Sequence, residues 1–258
     1  MIELELAERL IVAADFRPSP FGIGRIGVAL KVAELTENLL GTGVYLKVNS
    51  ALRAGGYELI RMIRGFGLRV FADLKLYDIR ETLETDGALL NEAGPELLTV
   101  ACSAGTEALR ALVAQLPNTE VLGLTVLTSL SEKDCLAIHG CDIRDAVNKL
   151  ALLAYEARLG GVISSAKEAK DIRIIIGPNM TINTPAIRPE WTIVTNDDQN
   201  PDRIMTPAKA IAAGADRIVI GRPILQAAPN DKGLPQNPRE AVERTLQEIA
   251  DGLATRQK

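Results

Sequence analysis

Histidine is nearly absent from this chain. Among 258 residues there is one, His139, in the polar stretch SEKDCLAIHGCD. A histidine-rich metal cage cannot be built from it, and a Ser-His-Asp triad would have a single base to draw on. Cysteine is also scarce: Cys102, Cys135 and Cys141 are odd in number and show no CxxC spacing, so three free thiols are expected rather than a disulfide framework. Basic clusters are missing as well. The net charge is −4, the pI is about 5.3, and the Lys and Arg residues are scattered, which leaves no face for a nucleic acid polymer or an anionic membrane. No long hydrophobic run occurs near the start, where MIELELAERLIVAAD carries three glutamates ahead of an apolar stretch too short for a signal-peptide core or a membrane span. A cytoplasmic location is the expectation.

What the chain does contain is a recurring pattern. Short apolar, β-branched runs predict strands at RLIVAAD (9–15), GVYLKVN (43–49), LRVFADLK (68–75), ELLTVAC (96–102), EVLGLTV (120–126), GGVISS (160–165), IRIIIGP (172–178) and DRIVIG (216–221). Between them, ALRAGGYELIRMIRGF, GTEALRALVAQL and RDAVNKLALLAYEARL place apolar residues three and four apart, the helical spacing. Strands that are hydrophobic throughout and alternate with helices imply a parallel sheet covered on its outer face. Eight such units fit a single (β/α)₈ barrel spanning 1–258. No Ser/Gly/Pro-rich linker, internal repeat or low-complexity segment divides it.

One motif points elsewhere. FGIGRIG supplies Gly22, Gly24 and Gly27, a formal GxGxxG between a first strand and a helix. The dinucleotide fingerprint needs its first glycine directly after the strand, yet FRPSPF intervenes after Asp15. The next strand, GVYLKVN, ends without an acidic residue for the ribose hydroxyls. A loop and helix entry is the better reading.

The charged residues that interrupt apolar runs carry the chemistry. In FADLKLYDI, Asp73 and Lys75 lie two apart and so share a strand face, near the C-terminal end where barrel enzymes assemble their sites. Lys47 closes YLKVN and Asp15 closes IVAAD, so several strand ends bring charge to one mouth. A structural ion pair is the plain alternative for Asp73 and Lys75 taken by themselves. Asp78 lies beyond the strand, and its side chain is not expected in the same cavity. Near the end of the chain, IVIGRPI places Gly221, Arg222 and Pro223 at a strand-to-helix junction. A permissive backbone, a permanent cation and free helix-start N–H groups make a phosphate seat, at the usual place in a barrel.

Taken together, IVAAD, YLKVN, DLKLYDI, LTVLTSL, GGVISSAKEA, TPAIRP and RIMTPAKAIAAGADRIVIGRPI resemble the orotidine 5′-phosphate decarboxylase family over nearly the whole chain. The resemblance implies that Lys47, Asp73, Lys75 and Asp78 form a charged catalytic tetrad, with Asp78 supplied to a neighbouring subunit's site in a homodimer. It further implies that Asp15 contacts the ribose, that Thr82 and Thr128 contact the nucleotide, and that Arg188, Gly221 and Arg222 hold the phosphate. A glutamine in the loop after IRP reaches the phosphate in the family, and Gln199 is the local counterpart. The implied substrate is orotidine 5′-phosphate. The implied chemistry needs no metal, flavin or pyridoxal cofactor: Lys75 would stabilise and protonate a carbanion that has no carbonyl to delocalise it.

Departures from the family pattern are local. Arg80 and Glu81 precede Thr82 where Pro-Asn is usual, Tyr77 replaces a frequent histidine, and TPAIRP stands for TPGIRP. The loop EWTIVTNDDQNPDR is longer than in the common bacterial form. A metal-dependent sugar-phosphate enzyme of the same superfamily, of the 3-keto-gulonate 6-phosphate decarboxylase or hexulose-phosphate synthase type, shares DxKxxD. RIMTP and Arg188 argue against it. A catalytically silent nucleotide-binding homologue is the other alternative, opposed by the intact tetrad.

Overall fold

A computed structural model describes residues 4–18, 24–192, 204–230 and 232–256. Its strands are β1 (Leu10–Ala13), β2 (Tyr45–Val48), β3 (Arg69–Leu76), β4 (Leu97–Ala101), β5 (Glu120–Leu124), β6 (Gly161–Ile163), β7 (Thr181–Thr184) and β8 (Arg217–Ile220). All pair in parallel and in chain order, and β8 closes onto β1. Helices fill the crossovers: α1 (Arg25–Asn38), α2 (Ser50–Gly55), α3 (Glu58–Gly65), α4 (Arg80–Ala93), α5 (Thr106–Ala114), α6 (Glu132–His139), α7 (Ile143–Glu156), α8 (Ala169–Ile176), α9 (Pro207–Ala212), α10 (Arg222–Leu225) and α11 (Pro238–Arg256). The expected (β/α)₈ barrel is therefore the observed fold. Its larger apolar cluster lies between sheet and helices, and the smaller one lines the barrel with Ile11, Tyr45, Phe71, Leu97, Leu122 and Val219 among others.

One expected strand is a helix. IRIIIGP falls on α8, where Ile172 and Ile176, four apart, are buried while Ile174 between them is 84% exposed. That is the spacing of one helical face, not of a strand buried on both sides. The seventh strand is TINT, whose polar residues hid it from a search for apolar runs. Its Thr181 and Asn183 side chains belong to a polar layer near the N-terminal end of the barrel. There the Arg217 guanidinium is held by Glu120 at 3.0 and 2.8 Å, by Asn183 at 3.2 Å and by Thr181 at 3.3 Å. Tyr45 covers it, with the guanidinium 5.4 Å from the ring centroid. Gly161 makes room for this layer, because any Cβ there would collide with the Thr181 side chain. The segment expected as one helix from Ala51 to Phe66 is two, α2 and α3. Gly56 between them takes a φ of 72°, which ends the first helix.

The polar layer yields a stability prediction. Glu120→Ala leaves the Arg217 guanidinium, 3% exposed, without its carboxylate, and should cost about 3 kcal/mol in denaturant unfolding. Combining Glu120→Leu with Arg217→Met should restore part of that loss, since no charge then remains buried. Equal stability of Glu120→Ala and the parent protein would show that Thr181 and Asn183 suffice.

Candidate active site

The strand alternation that buries Tyr45 and Phe71 inside the barrel also carries Lys47 and Asp73 inward, two residues further toward the C-terminal mouth. Both are almost fully buried, at 7% and 6% exposure. The Lys47 ammonium bridges two carboxylates, donating to Asp73 Oδ2 at 3.0 Å and to both oxygens of Asp15 at 3.1 Å. Asp15 follows β1 and is exposed toward the opening. Lys75 Nζ donates to the same Asp73 Oδ2 at 2.7 Å, so one carboxylate oxygen receives two ammonium groups.

Electrostatics follow from that geometry. Burial alone would raise the Asp73 pKa, but Lys47 and Lys75 outweigh it and hold the carboxyl down to about 2. Burial works against the Lys47 ammonium, yet Asp73 and Asp15 reverse the effect and its pKa is raised. Asp73 and Lys47 are thus both ionised in the neutral range.

Lys75 reaches this position through a break in the sheet. Ala72 pairs with Leu98 and Leu76 pairs with Val100, so four steps along β3 match two along β4. Three β3 residues, Asp73, Leu74 and Lys75, therefore lie against one β4 residue, Thr99. Lys75 adopts φ 51° within this bulge, a left-handed conformation that costs a non-glycine residue about 1–2 kcal/mol. Regular alternation by itself would not have shown the bulge. Thr99 also went unnoticed in the sequence, where a threonine within ELLTVAC reads as ordinary strand composition. It is 1% exposed, donates to Asp73 Oδ1 at 2.9 Å and accepts from the Lys75 N–H at 2.9 Å.

These groups open into a cleft of about 1150 Å³ at the C-terminal face of the barrel. Asp15, Lys47, Asp73, Lys75, Thr99, Thr128, Arg188, Gly221 and Arg222 all line it. The expected phosphate groups therefore share one cavity with the lysine–aspartate array. Gly221 caps β8, and its carbonyl accepts from Ile224 and Leu225 at the start of the α10 turn. Arg188 sits on the segment after β7, where its N–H bonds to Met205 O at 2.9 Å and Ile187 bridges Met205. A turn closed by Thr192 N–H on Pro189 O follows, and Arg244 of α11 lies 5.6 Å from the Trp191 ring.

Two expected site residues stand apart from the cleft. Asp78 is exposed beyond β3, and its carboxylate accepts from the Ile79 N–H at 2.7 Å. Thr82, in the first turn of α4, does not line the cleft. Gln199 lies outside the described residues, as does most of the loop that carries it. Gly22 of the formal GxGxxG lies outside them too; Gly24, at φ 56°, immediately precedes α1. Among the described residues no group of three or more His, Cys, Asp or Glu is placed to hold a metal ion. Cys102 is buried, which pushes its thiol up to about 12 and leaves it unreactive.

Fold and cleft define a (β/α)₈ barrel with a hydrogen-bonded lysine–aspartate array and two arginines around a single mouth. Residues 8–234 match the model of the Orotidine 5′-phosphate decarboxylase / HUMPS family, and the chain belongs to that family. It is 37% identical to the orotidine 5′-phosphate decarboxylase of Rhodopseudomonas palustris over 254 residues, covering 96% of this chain and 97% of that one. To the enzyme of the same name from Syntrophomonas wolfei it is 33% identical over 261 residues, covering 96% and 100%. Among solved structures, orotidine 5′-phosphate decarboxylase from Lactobacillus acidophilus superposes with a TM-score of 0.73 at 25% identity, covering 94% of this chain and 99% of that one.

The alanine in TPAIRP has a measurable consequence. Ala186 adopts φ 62°, a region that favours glycine, and it is buried beside the cleft. Ala186→Gly should therefore stabilise the protein by about 1 kcal/mol, read as a raised denaturation midpoint. A lowered midpoint would mean that the methyl group's packing outweighs the backbone strain.

Proposed function

We propose that this protein decarboxylates orotidine 5′-phosphate to uridine 5′-monophosphate, in pyrimidine synthesis, without a cofactor. The observation that carries the reading is the Lys75 ammonium, 2.7 Å from a buried, ionised Asp73 and facing a cleft that Arg188 and Arg222 also line. The shared name of the relatives supports the substrate.

With the phosphate held near Arg188, Gly221 and Arg222, and the ribose near Asp15, the pyrimidine C6 would face Asp73 and Lys75. When the bond from C6 to the carboxylate breaks, its electron pair stays on C6 and CO₂ leaves. Lys75 stabilises that charge electrostatically and then transfers a proton from its ammonium to C6; solvent restores the proton. Asp73 remains ionised, so its repulsion of the substrate carboxylate disappears as CO₂ departs. Lys47 keeps Asp73 in place. Binding energy at the remote phosphate contributes at the transition state as well as to affinity.

A divalent metal is the competing solution for two carboxylates in a barrel mouth. Here Asp15 and Asp73 already share the Lys47 ammonium, which occupies the space between them. That favours the cofactor-independent reading over the metal-dependent sugar-phosphate one. The test is ultraviolet monitoring of orotidine 5′-phosphate in the presence of chelator. Turnover should persist, and Lys75→Ala should lose about 10²–10⁴-fold of it while still binding uridine 5′-monophosphate. A requirement for added magnesium would transfer the assignment to the metal-dependent class.

We further propose that Asp78 and Thr82 serve the site of a second chain in a homodimer. Both lie away from their own cleft, and Asp78 is flanked by Tyr77 and Ile79, which are 68% and 67% exposed. Mixing Lys75→Ala chains with Asp78→Asn chains tests this. In a mixed dimer, the site built on the Asp78→Asn chain keeps its own Lys75 and receives an intact Asp78 from the other chain. Random reassortment makes half the dimers mixed, each with one good site in two, so roughly a quarter of the parent activity should return. If activity stays at the level of the pure variants once subunits have exchanged, Asp78 acts within its own chain.

A further inference from the structure

We propose that Thr99 is the positioning residue of the lysine–aspartate array: its one hydroxyl joins the Asp73 carboxylate to the Lys75 backbone and so sets where the Lys75 amine points. The kinetic part of this inference rests on the decarboxylase reading above.

The argument starts from the mismatch between β3 and β4. A bulge of this size leaves backbone groups without their ladder partners, and a buried N–H left unpaired is costly. At Lys75 the N–H is paired, but with a side chain: the Thr99 oxygen accepts it at 2.9 Å. The same oxygen carries a single proton, and that proton goes to Asp73 Oδ1 at 2.9 Å. Donor and acceptor roles are thus both committed, in opposite directions, to two residues of the site. The Asp73 carboxylate is held at both ends, by Thr99 on Oδ1 and by the two ammonium groups on Oδ2. Without the Oδ1 contact, the carboxylate could rotate about its bond to Cβ and carry the Lys75 amine with it. Without the backbone contact, the strained φ of 51° at Lys75 would lose the bond that compensates it.

No other residue type of this size does both jobs at full strength, since a cysteine thiol is only a weak donor and acceptor. Valine fills the same space with neither a donor nor an acceptor, whereas serine keeps the hydroxyl and omits the methyl group. Thr99 is opposite the bulge because β4 contributes only one residue there, and its inward face makes it the only β4 side chain available at that level.

Three variants test the proposal. Thr99→Val should fold, lower kcat by about 10–100-fold and leave both KM and uridine 5′-monophosphate affinity within about 3-fold of the parent. Thr99→Ser should recover kcat to within about 3-fold. An activity-independent readout is the titration of the Asp73 carboxyl carbon by NMR. The groups facing that carboxylate are Lys47 from β2, Lys75 from β3 and, through Lys47, Asp15 after β1. All are unchanged in Thr99→Val, so loss of a donor to the charged form should move the midpoint up from about 2, and Thr99→Ser should bring it back. Should the valine variant fail to fold, Thr99→Cys, a weak donor and acceptor of similar size, takes its place with kcat expected below that of Thr99→Ser. Parent-like kcat and carboxyl titration in Thr99→Val or Thr99→Cys would overturn the proposal, as would a serine variant as impaired as the valine one. If the parent protein fails to consume orotidine 5′-phosphate, the substrate reading falls, and the carboxyl titration still decides the role of Thr99.

Discussion

The buried Asp73 carboxylate and the buried Lys47 ammonium stay ionised through close opposite charge, and the mouth of this barrel is built around that dependence. Moving a single charge out of water into such a site costs several kcal/mol, and only close opposite charge with good hydrogen-bond geometry offsets it. Asp73 provides the centre of the array. Lys47 and Lys75 both donate to it, Asp15 holds the far side of Lys47, and Thr99 satisfies the remaining oxygen. These five groups come from β2 to β4 and the second residue after β1, so the array exists only when four strands are in register. Register among these four strands is therefore a condition for the charge state, and the charge state is a condition for the proposed chemistry.

The same logic governs the two ends of the barrel in different ways. At the N-terminal end, Arg217 and Glu120 pair directly, with Thr181, Asn183 and Tyr45 filling the rest of the layer. Both terminal nitrogens of the guanidinium are paired there, and no strand is displaced to accommodate them. At the C-terminal end, β3 is bulged, Lys75 is strained, and Lys75 and Asp15 keep part of their surface open to the cleft. One layer closes the barrel, and the other leaves charge available to a ligand. Strain at Lys75 and again at Ala186, both beside the cleft, fits the way folded proteins concentrate unfavourable backbone at sites of function.

How much of this the chain discloses depends on which physical signal carries each feature. Apolar runs reveal β1 to β6 and β8 because those strands are buried on both faces by hydrocarbon. The same signal fails at β7, since Thr181 and Asn183 face a polar layer and Thr184 is also buried; it misleads at α8, where an isoleucine run is helical and Ile174 faces solvent. Charges within apolar runs disclose Lys47, Asp73 and Lys75, because burying them without a partner is too costly to be incidental. Gly221 and Arg222 are legible for a related reason, as a permissive residue and a permanent cation at a strand end. Thr99 carries no such mark: its importance arises from the register shift opposite it, which is a property of two strands. The positions of Asp78 and Thr82 outside their own cleft follow from the strand ending at Leu76, and the resemblance to the family, rather than any local pattern, is what suggests a second chain for Asp78.

The departures from the family pattern are therefore unequal in weight. Arg80 and Glu81 lie on the exposed first turn of α4, where Arg80 pairs with Glu84 at 2.9 Å and a different pair of residues still starts a helix. Ala186 is different in kind, because it places a side chain where the backbone is left-handed and the cleft wall begins. Its cost is tolerated because the segment is tied down immediately afterwards: Ile187 and Arg188 bridge to Met205, Thr192 closes a turn on Pro189, and Trp191 lies beneath Arg244. A glycine would leave that start of the segment freer in the unfolded chain and unstrained in the folded one, at the loss of one methyl group from the cleft wall. The array of Lys47, Asp73 and Lys75 has no comparable latitude. Lys47 and Lys75 both neutralise the buried Asp73 carboxylate, and loss of either lysine would raise its pKa.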